Sequence, residues 1–213
     1  MEKCYTYDDV NIIPKYSEIR SRGEVSLDTK FTRRTRLSLP IVSAPMDTIT
    51  ESDMAIGMMS MGGVGVIHRF LSIEKQALEV ERTFQFWETI EPAFESEDEW
   101  LSVPICAAVG VTGDYLERSK ELAGAGCSVL LIDVAHGHHK NVGEAIEQIK
   151  KNIQGVEVIA GNIATGEAAY YLCERGADGI RAGIGNGSLC ETRIRTGVGI
   201  PTVSSLLDIT NIT

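Results

Sequence analysis

The sequence predicts an α/β protein, and three observations support this fold class. Several short runs are apolar throughout, which is typical of parallel strands that are buried on both faces. Helical patterns separate these runs, and the runs recur at a nearly constant interval. Alternating strands and helices indicate right-handed βαβ units, in which the helices cover a parallel sheet.

Six strands and five helices are predicted along the chain. The predicted strands cover residues 40–44, 63–68, 105–110, 129–134, 156–163 and 179–183, and the predicted helices cover 52–61, 72–82, 115–125, 141–152 and 166–175. Strand starts recur about every 23 to 27 residues, with one interval of about 42, as in a TIM-type (β/α)8 barrel. We therefore expect about six of the eight βα units, with two units absent and a sixth helix under way at 204–213.

The long interval contains an acidic stretch with scattered aromatic residues at 83–102. We expect it to be a short excursion whose aromatic side chains pack locally and do not form a ligand cage. The rest of the chain shows no change of composition that would mark a second domain. We therefore expect residues 1–213 to form one partial barrel domain.

Composition excludes several classes of function. The chain has 213 residues, 43% of them hydrophobic, and a net charge of −10, which disfavours nucleic acid and anionic membrane surfaces as partners. No apolar stretch is long enough to span a membrane. Five cysteines without a Cys-x-x-Cys pair suit neither a disulfide framework nor a structural zinc site. We therefore expect a cytoplasmic protein that acts on a small molecule.

A glycine-rich loop, GIGNGSLCETR at 183–193, follows the sixth predicted strand. Glycines allow a tight loop whose backbone N–H and C=O groups can hold a phosphate or a cation. The carboxyl ends of barrel strands form the active-site face, so Cys190 is expected there. The glycine pattern alone fits a plain tight turn equally well, and it is not the dinucleotide-binding fingerprint.

This loop, together with TGVGIP at 196–201, resembles the active-site loop shared by inosine monophosphate (IMP) dehydrogenases and guanosine monophosphate (GMP) reductases. Further stretches resemble the same family: YTYDDV at 5–10, SAPMDT at 43–48, GGVGVIH at 62–68, IDVAHG at 132–137 and AGNIAT at 160–165. The chain is most similar to the N-terminal part of the dehydrogenase barrel. In that family a pair of cystathionine-β-synthase-type (CBS) domains is usually inserted at the position of residues 83–102.

The resemblance implies an NAD-dependent oxidation of IMP to xanthosine monophosphate, a step of guanine nucleotide biosynthesis. Cys190 corresponds to the nucleophile that forms a covalent thioimidate with the purine, and Thr192 to the residue that positions the hydrolytic water. Ser188 corresponds to a contact of the substrate phosphate and Met46 to a residue lining the purine. Glu191 departs from the family pattern, and its charge is expected to raise the pKa of the neighbouring thiol.

The resemblance also implies cofactor and cation sites. Asp133 would accept hydrogen bonds from ribose hydroxyls of the cofactor, although an aspartate there is equally consistent with a helix cap or turn. Asn162, Gly183 and Gly185 correspond to positions around the nicotinamide, where Asn162 would also meet the substrate. A potassium ion would be bound by the carbonyl groups of Gly185, Gly187 and Cys190.

Two alternatives stay open. A GMP reductase runs the neighbouring reaction with NADPH, and TGE at 165–167 favours it, whereas SAPMDTIT at 43–50 and GGVGVIHR at 62–69 favour the dehydrogenase. The other alternative is a non-catalytic fragment, or one part of a split enzyme that needs a C-terminal partner. We expect either a homo-oligomer, as in the family, or assembly with such a complementing piece.

Overall fold

The computed structural model describes residues 3–90, 103–188 and 190–212. Its described strands are β1 Thr29–Lys30, β2 Arg36–Leu37, β3 Val42–Ser43, β4 Val64–Ile67, β5 Cys106–Val109, β6 Val129–Asp133, β7 Glu157–Ile163 and β8 Gly179–Ala182. Its described helices are α1 Ser52–Ser60, α2 Ile73–Ile90, α3 Tyr115–Gly124, α4 Lys140–Asn152, α5 Gly166–Glu174, α6 Glu191–Thr196 and α7 Thr202–Thr210.

Strands β3 to β8 form one parallel sheet in which each strand pairs with the next along the chain. The sheet is curled, because its first and last strands line one cavity of about 320 Å³, with Val42 and Ser43 on one side and Ile180 and Ala182 on the other. Helices pack around the outside. The α/β class and the partial (β/α) barrel are therefore confirmed.

All six predicted strands and all five predicted helices are present, with ends that move by a few residues, and the expected sixth helix is α7. One boundary is wrong. The helix predicted at 72–82 continues to Ile90, so the first part of the expected excursion at 83–102 is the second half of α2. Phe84 and Trp87 stack on each other there, with ring centroids 5.5 Å apart, and pack against the core. Residues 91–102 lie outside the described residues.

The two faces of the sheet bury different sets of side chains. On β6, Leu130 and Ile132 belong to the core between the sheet and the helices, whereas Val129 and Leu131 belong to a smaller cluster inside the curl. This alternation follows from the period of two along a strand. It explains why the runs are apolar throughout, because both faces are covered.

A hairpin of β1 and β2, which the sequence patterns do not predict, closes the N-terminal end of the curl. Leu37 is buried in the inner cluster and Phe31 packs against it. Glu157, at the start of β7, is also buried there, and its carboxylate accepts hydrogen bonds from Thr32 Oγ1, Thr35 Oγ1 and the N–H of Arg34 at 2.5, 2.7 and 3.0 Å. The charge at this end is therefore fully hydrogen-bonded.

No helix within the described ranges is both long enough and apolar enough to cross a membrane.

Candidate active site

A cavity of about 290 Å³ lies at the opposite end of the curl, where the strands of the second half of the sheet end. It brings together six of the residues that the sequence predicts for the site: Cys190, Thr192, Asp133, Asn162, Gly183 and Gly185. Strand β6 contributes Asp133 at its last position and β7 contributes Asn162. The loop after β8 supplies Gly183, Gly185 and Cys190, and the helix that follows it supplies Thr192, as expected for the carboxyl ends of barrel strands.

Two glycines of the loop have conformations that other residues rarely adopt. Gly183 has φ = +125° and Gly185 has φ = +69°. A Cβ atom on Gly185 would also lie 2.5 Å from the carbonyl oxygen of Val198 and 2.6 Å from the Cα of Gly199. Gly185 is therefore required both for its left-handed backbone and for the close approach of residues 198–199, which follow α6.

Cys190 is the N-cap residue of α6, and its side chain makes no capping hydrogen bond. The pKa of its thiol is lowered, chiefly by the backbone N–H of Arg193, with further contributions from the N–H groups of Thr192 and Gly185 and the Thr192 side chain. Partial burial opposes this shift without reversing it. Donors at a helix N-terminus stabilise a thiolate, which is the nucleophilic form.

The expectation that Glu191 raises the pKa of this thiol is wrong. The Glu191 side chain is 80% exposed and forms an ion pair with Arg195 at 3.5 Å, one turn further along α6. Because water and Arg195 screen its charge, the nearby N–H donors dominate at the sulfur.

The pKa values of three other thiols are shifted in the opposite direction. Burial raises the pKa of Cys127 to about 12 and that of Cys106 well above its ordinary value. Burial also raises the pKa of Cys173, which lies on α5. Among the cysteines for which a shift is resolved, Cys190 alone is shifted toward the thiolate.

Asp133 and Asn162 have hydrogen-bond partners that the sequence patterns do not reveal. Asp133 Oδ1 accepts from Arg181 Nη1 at 2.5 Å, and Asn162 Nδ2 donates to the carbonyl oxygen of Gly183 at 3.0 Å. Arg181 is the arginine of β8 and lines the cavity. A charged residue inside an otherwise apolar strand was the available signal for it.

Arg69, two residues after the end of β4, is a second cavity residue, and no sequence motif indicates a role for it. Three residues predicted from the resemblance do not line this cavity. Met46 lies in the loop between β3 and α1 with 48% of its surface exposed, and Gly187 and Ser188 are exposed in the glycine loop. Their predicted contacts with the substrate and potassium stay predictions.

The donor set fits a nicotinamide cofactor in part. Asp133 Oδ1 is already paired with Arg181, so its second oxygen is the one free for a ribose hydroxyl. Asn162 lines the same cavity, and the nitrogen of its side-chain amide is the atom bonded to Gly183. These residues would hold the ribose and the nicotinamide, and NAD would supply a hydride acceptor.

The fit to potassium is limited to one half of a site. The carbonyl oxygen of Gly187 accepts the Cys190 N–H at 3.1 Å, and that of Cys190 accepts the Ile194 N–H at 3.0 Å. Each carbonyl keeps one further lone pair for a cation. Carbonyl oxygens are suitable potassium ligands, but a full coordination shell needs oxygens from outside this loop.

The chain matches the family model for the IMP dehydrogenase / GMP reductase domain over residues 4–213. It is 37% identical over 232 residues to an inosine-5'-monophosphate dehydrogenase of Cryptosporidium parvum, with 96% of this chain and 57% of that protein covered. It is 37% identical over 243 residues to the enzyme of the same name from Borreliella burgdorferi, covering 98% and 60%.

A third relative, an inosine-5'-monophosphate dehydrogenase of Nitrosopumilus maritimus, is 31% identical over 312 residues, covering 95% of this chain and 66% of the relative. That alignment is longer than the whole chain, so the relative carries residues inside the matched region that this chain lacks. The chain spans between 57% and 66% of the length of these three relatives. With the family model matched over nearly its whole length, the chain belongs to the IMP dehydrogenase / GMP reductase family.

Proposed function

We propose that this chain carries the nucleophile half of an NAD-dependent IMP dehydrogenase, with Cys190 as the nucleophile. One observation carries the proposal: the thiol whose pKa is lowered opens into the same cavity as Asp133, Asn162 and Thr192. An activated cysteine at the carboxyl ends of barrel strands is suited to covalent catalysis.

In the first chemical step the Cys190 thiolate adds to carbon 2 of the IMP purine, and the carbon–sulfur bond forms. The hydrogen on carbon 2 leaves as a hydride, and Asp133 and Asn162 would hold the NAD that supplies the hydride acceptor. The product is a thioimidate that links the purine to Cys190. The N–H donors at the start of α6 lower the pKa of the thiol and so favour the thiolate before attack, at a position that the Gly185 turn fixes.

In the second step water adds to carbon 2, the carbon–sulfur bond breaks, and xanthosine monophosphate and the free thiol are released. Thr192 lines the cavity, and its hydroxyl contributes to the lowered pKa of the Cys190 thiol. It can therefore hold a water molecule beside carbon 2. We propose positioning of this water as the role of Thr192.

The test is to incubate the chain with IMP and NAD, quench with acid, and map adducts by mass spectrometry. We expect the purine nucleotide on Cys190 and no adduct in Cys190→Ser. An adduct on another cysteine, or none on any cysteine, contradicts the proposal. GMP with NADPH distinguishes the reductase alternative, since faster NADPH oxidation with GMP than NAD reduction with IMP assigns the reductase activity.

A second candidate is that the chain binds nucleotide but turns it over only when another polypeptide completes the barrel. The terminal strands of the described sheet, β3 and β8, each pair with one neighbour, which leaves a row of backbone groups on each. Open edges of this kind pair readily with further strands. The relatives' greater length gives a source for such strands.

The measurement that separates these candidates is the size of the purified chain in solution together with steady turnover of IMP and NAD. A monodisperse monomer with steady turnover assigns full activity to this chain. A single adduct without turnover, restored by adding a C-terminal piece of a relative, assigns the split arrangement.

A further inference from the structure

Arg69 contributes a charged side chain to the candidate site that the proposed chemistry does not use. It lines the cavity together with Cys190 and Asp133. Its guanidinium crosses the end of β5, where a Cβ atom on Gly110 would lie 3.8 Å from Arg69 Nη1. The Nε atom is buried, and within the described parts of the chain it has no hydrogen-bond partner.

The loop on either side of this arginine is fixed by hydrogen bonds. The N–H of Phe70 donates to His68 Nδ1 at 3.1 Å, so His68 Nε2 carries its proton and donates to Glu51 Oε1 at 3.1 Å. The Leu71 carbonyl oxygen accepts from the buried Arg118 guanidinium at 3.0 Å. These hydrogen bonds hold the backbone on both sides of Arg69, so they also hold the point from which its side chain extends.

Charge in the cavity favours an anionic ligand. The charged residues that line the cavity are two arginines, Arg69 and Arg181, and one aspartate, Asp133. The aspartate is paired with Arg181. Among the ion pairs that the described residues form, none involves Arg69. This local positive charge stands out in a chain with a net charge of −10. A charged group without an ion pair is costly to keep partly out of water, so an anion in the cavity is the expected partner of the Arg69 guanidinium.

We propose that Arg69 binds a phosphate oxyanion of the small molecule that occupies this cavity. Arginine binds phosphate through charge-assisted and often bidentate hydrogen bonds, which the two terminal nitrogens of its guanidinium can supply. The proposal rests on the proposed function for the location of the ligand beside Cys190. The phosphate can belong to the purine nucleotide or to the dinucleotide, and the probes below separate these sources.

The test measures protection of Cys190 in the full chain. Iodoacetamide alkylation of Cys190 is followed by mass spectrometry while IMP, NAD, inorganic pyrophosphate or inosine is titrated. We expect at least one of the three phosphate-bearing probes to slow alkylation. In Arg69→Gln the half-protecting concentration of that probe should rise about tenfold or more, and in Arg69→Lys by less. Protection by inosine, which lacks phosphate, should not change.

Arg82→Gln is the matched control, because Arg82 is an exposed arginine of α2 that pairs with Asp53 and Glu79 away from the cavity. Equal protection in Arg69→Gln and Arg82→Gln overturns the proposal, as does the absence of protection by all phosphate-bearing probes. If the IMP adduct forms on Cys190 and Arg69→Gln keeps the wild-type protection by every phosphate-bearing probe, the proposed function stands and this inference is wrong. Phosphate protection that depends on Arg69, without any adduct on Cys190, does the reverse.

Discussion

The two ends of the curled sheet differ in whether their polar groups are hydrogen-bonded within the protein. At the N-terminal end the buried Glu157 carboxylate is bonded by Thr32, Thr35 and the Arg34 N–H. At the C-terminal end the Arg69 Nε has no partner among the described residues, and the thiol of Cys190 is shifted toward its charged form. Hydrogen-bonded polar groups stabilise the fold. Groups that are unpaired, or whose pKa is shifted toward the reactive form, are typical of sites that bind or react with a ligand.

The largest expected effect is on stability at the N-terminal end. Glu157→Ala removes the acceptor of three hydrogen bonds in a buried position, and it should lower the free energy of unfolding by about 3 kcal/mol. Urea unfolding followed by circular dichroism measures this change. The alkylation rate of Cys190 in the folded protein should stay the same.

Glu147→Ala is the control for that variant, because Glu147 is an exposed glutamate of α4 whose partner is Arg175. We expect no measurable change in its unfolding midpoint. If Glu157→Ala is as stable as Glu147→Ala, the N-terminal end does not have the structural role assigned to it.

The next effect concerns reactivity at the C-terminal end. Gly185→Ala places a Cβ atom 2.5 Å from the Val198 carbonyl oxygen in a left-handed backbone, so the loop must shift and its N–H moves away from the Cys190 sulfur. The pKa of Cys190 should rise, and its alkylation rate at neutral pH should fall about tenfold, the equivalent of one pKa unit. Rates are measured by mass spectrometry under native conditions.

Gly187→Ala is the matched control in the same loop, since its added Cβ atom would only approach the Cys190 Cβ at 4.0 Å. Its Cys190 should alkylate at the wild-type rate. Equal losses in both variants would mean that any substitution in the loop disturbs the thiol and that the turn at Gly185 is not specific.

The smallest effect is expected for Thr192, whose side chain makes the last of the contributions that lower the pKa of Cys190. Thr192→Val keeps the shape and removes the hydroxyl, so Cys190 alkylation at neutral pH should slow about two- to threefold. Thr192→Ser keeps the hydroxyl and should restore the wild-type rate. A serine variant as slow as the valine variant contradicts a hydrogen bond to the sulfur.

The contrast between the two ends was only partly predictable from the sequence. Local patterns predicted the six strands because both faces of each are apolar, and glycine spacing with the family resemblance predicted the Cys190 loop. The Asp133–Arg181 pair joins residues 48 positions apart, and the Glu157 cluster joins residues 122 to 125 positions apart. Patterns of neighbouring residues do not predict contacts between residues so far apart in the chain.

Two predictions from the sequence are wrong, and each has a physical reason. Glu191 is adjacent to Cys190 in the chain, but the helix turns its side chain toward Arg195 and the solvent. Helix α2 continues to Ile90, beyond its predicted end, because Phe84 and Trp87 pack against the core. The acidic residues of this stretch had suggested a loop. Local helix geometry decided the first case, and tertiary packing decided the second.

The most direct test of the central claim is the pH dependence of alkylation at each cysteine in one sample of the folded chain. A lowered pKa means that the thiolate is populated at lower pH, so the Cys190 rate should reach half its maximum at a lower pH than the Cys173 rate, because burial raises the pKa of Cys173. Buried Cys127, with a pKa of about 12, should not react until the protein unfolds. If Cys190 titrates at or above Cys173, its thiol is not activated and the assignment of the nucleophile is wrong.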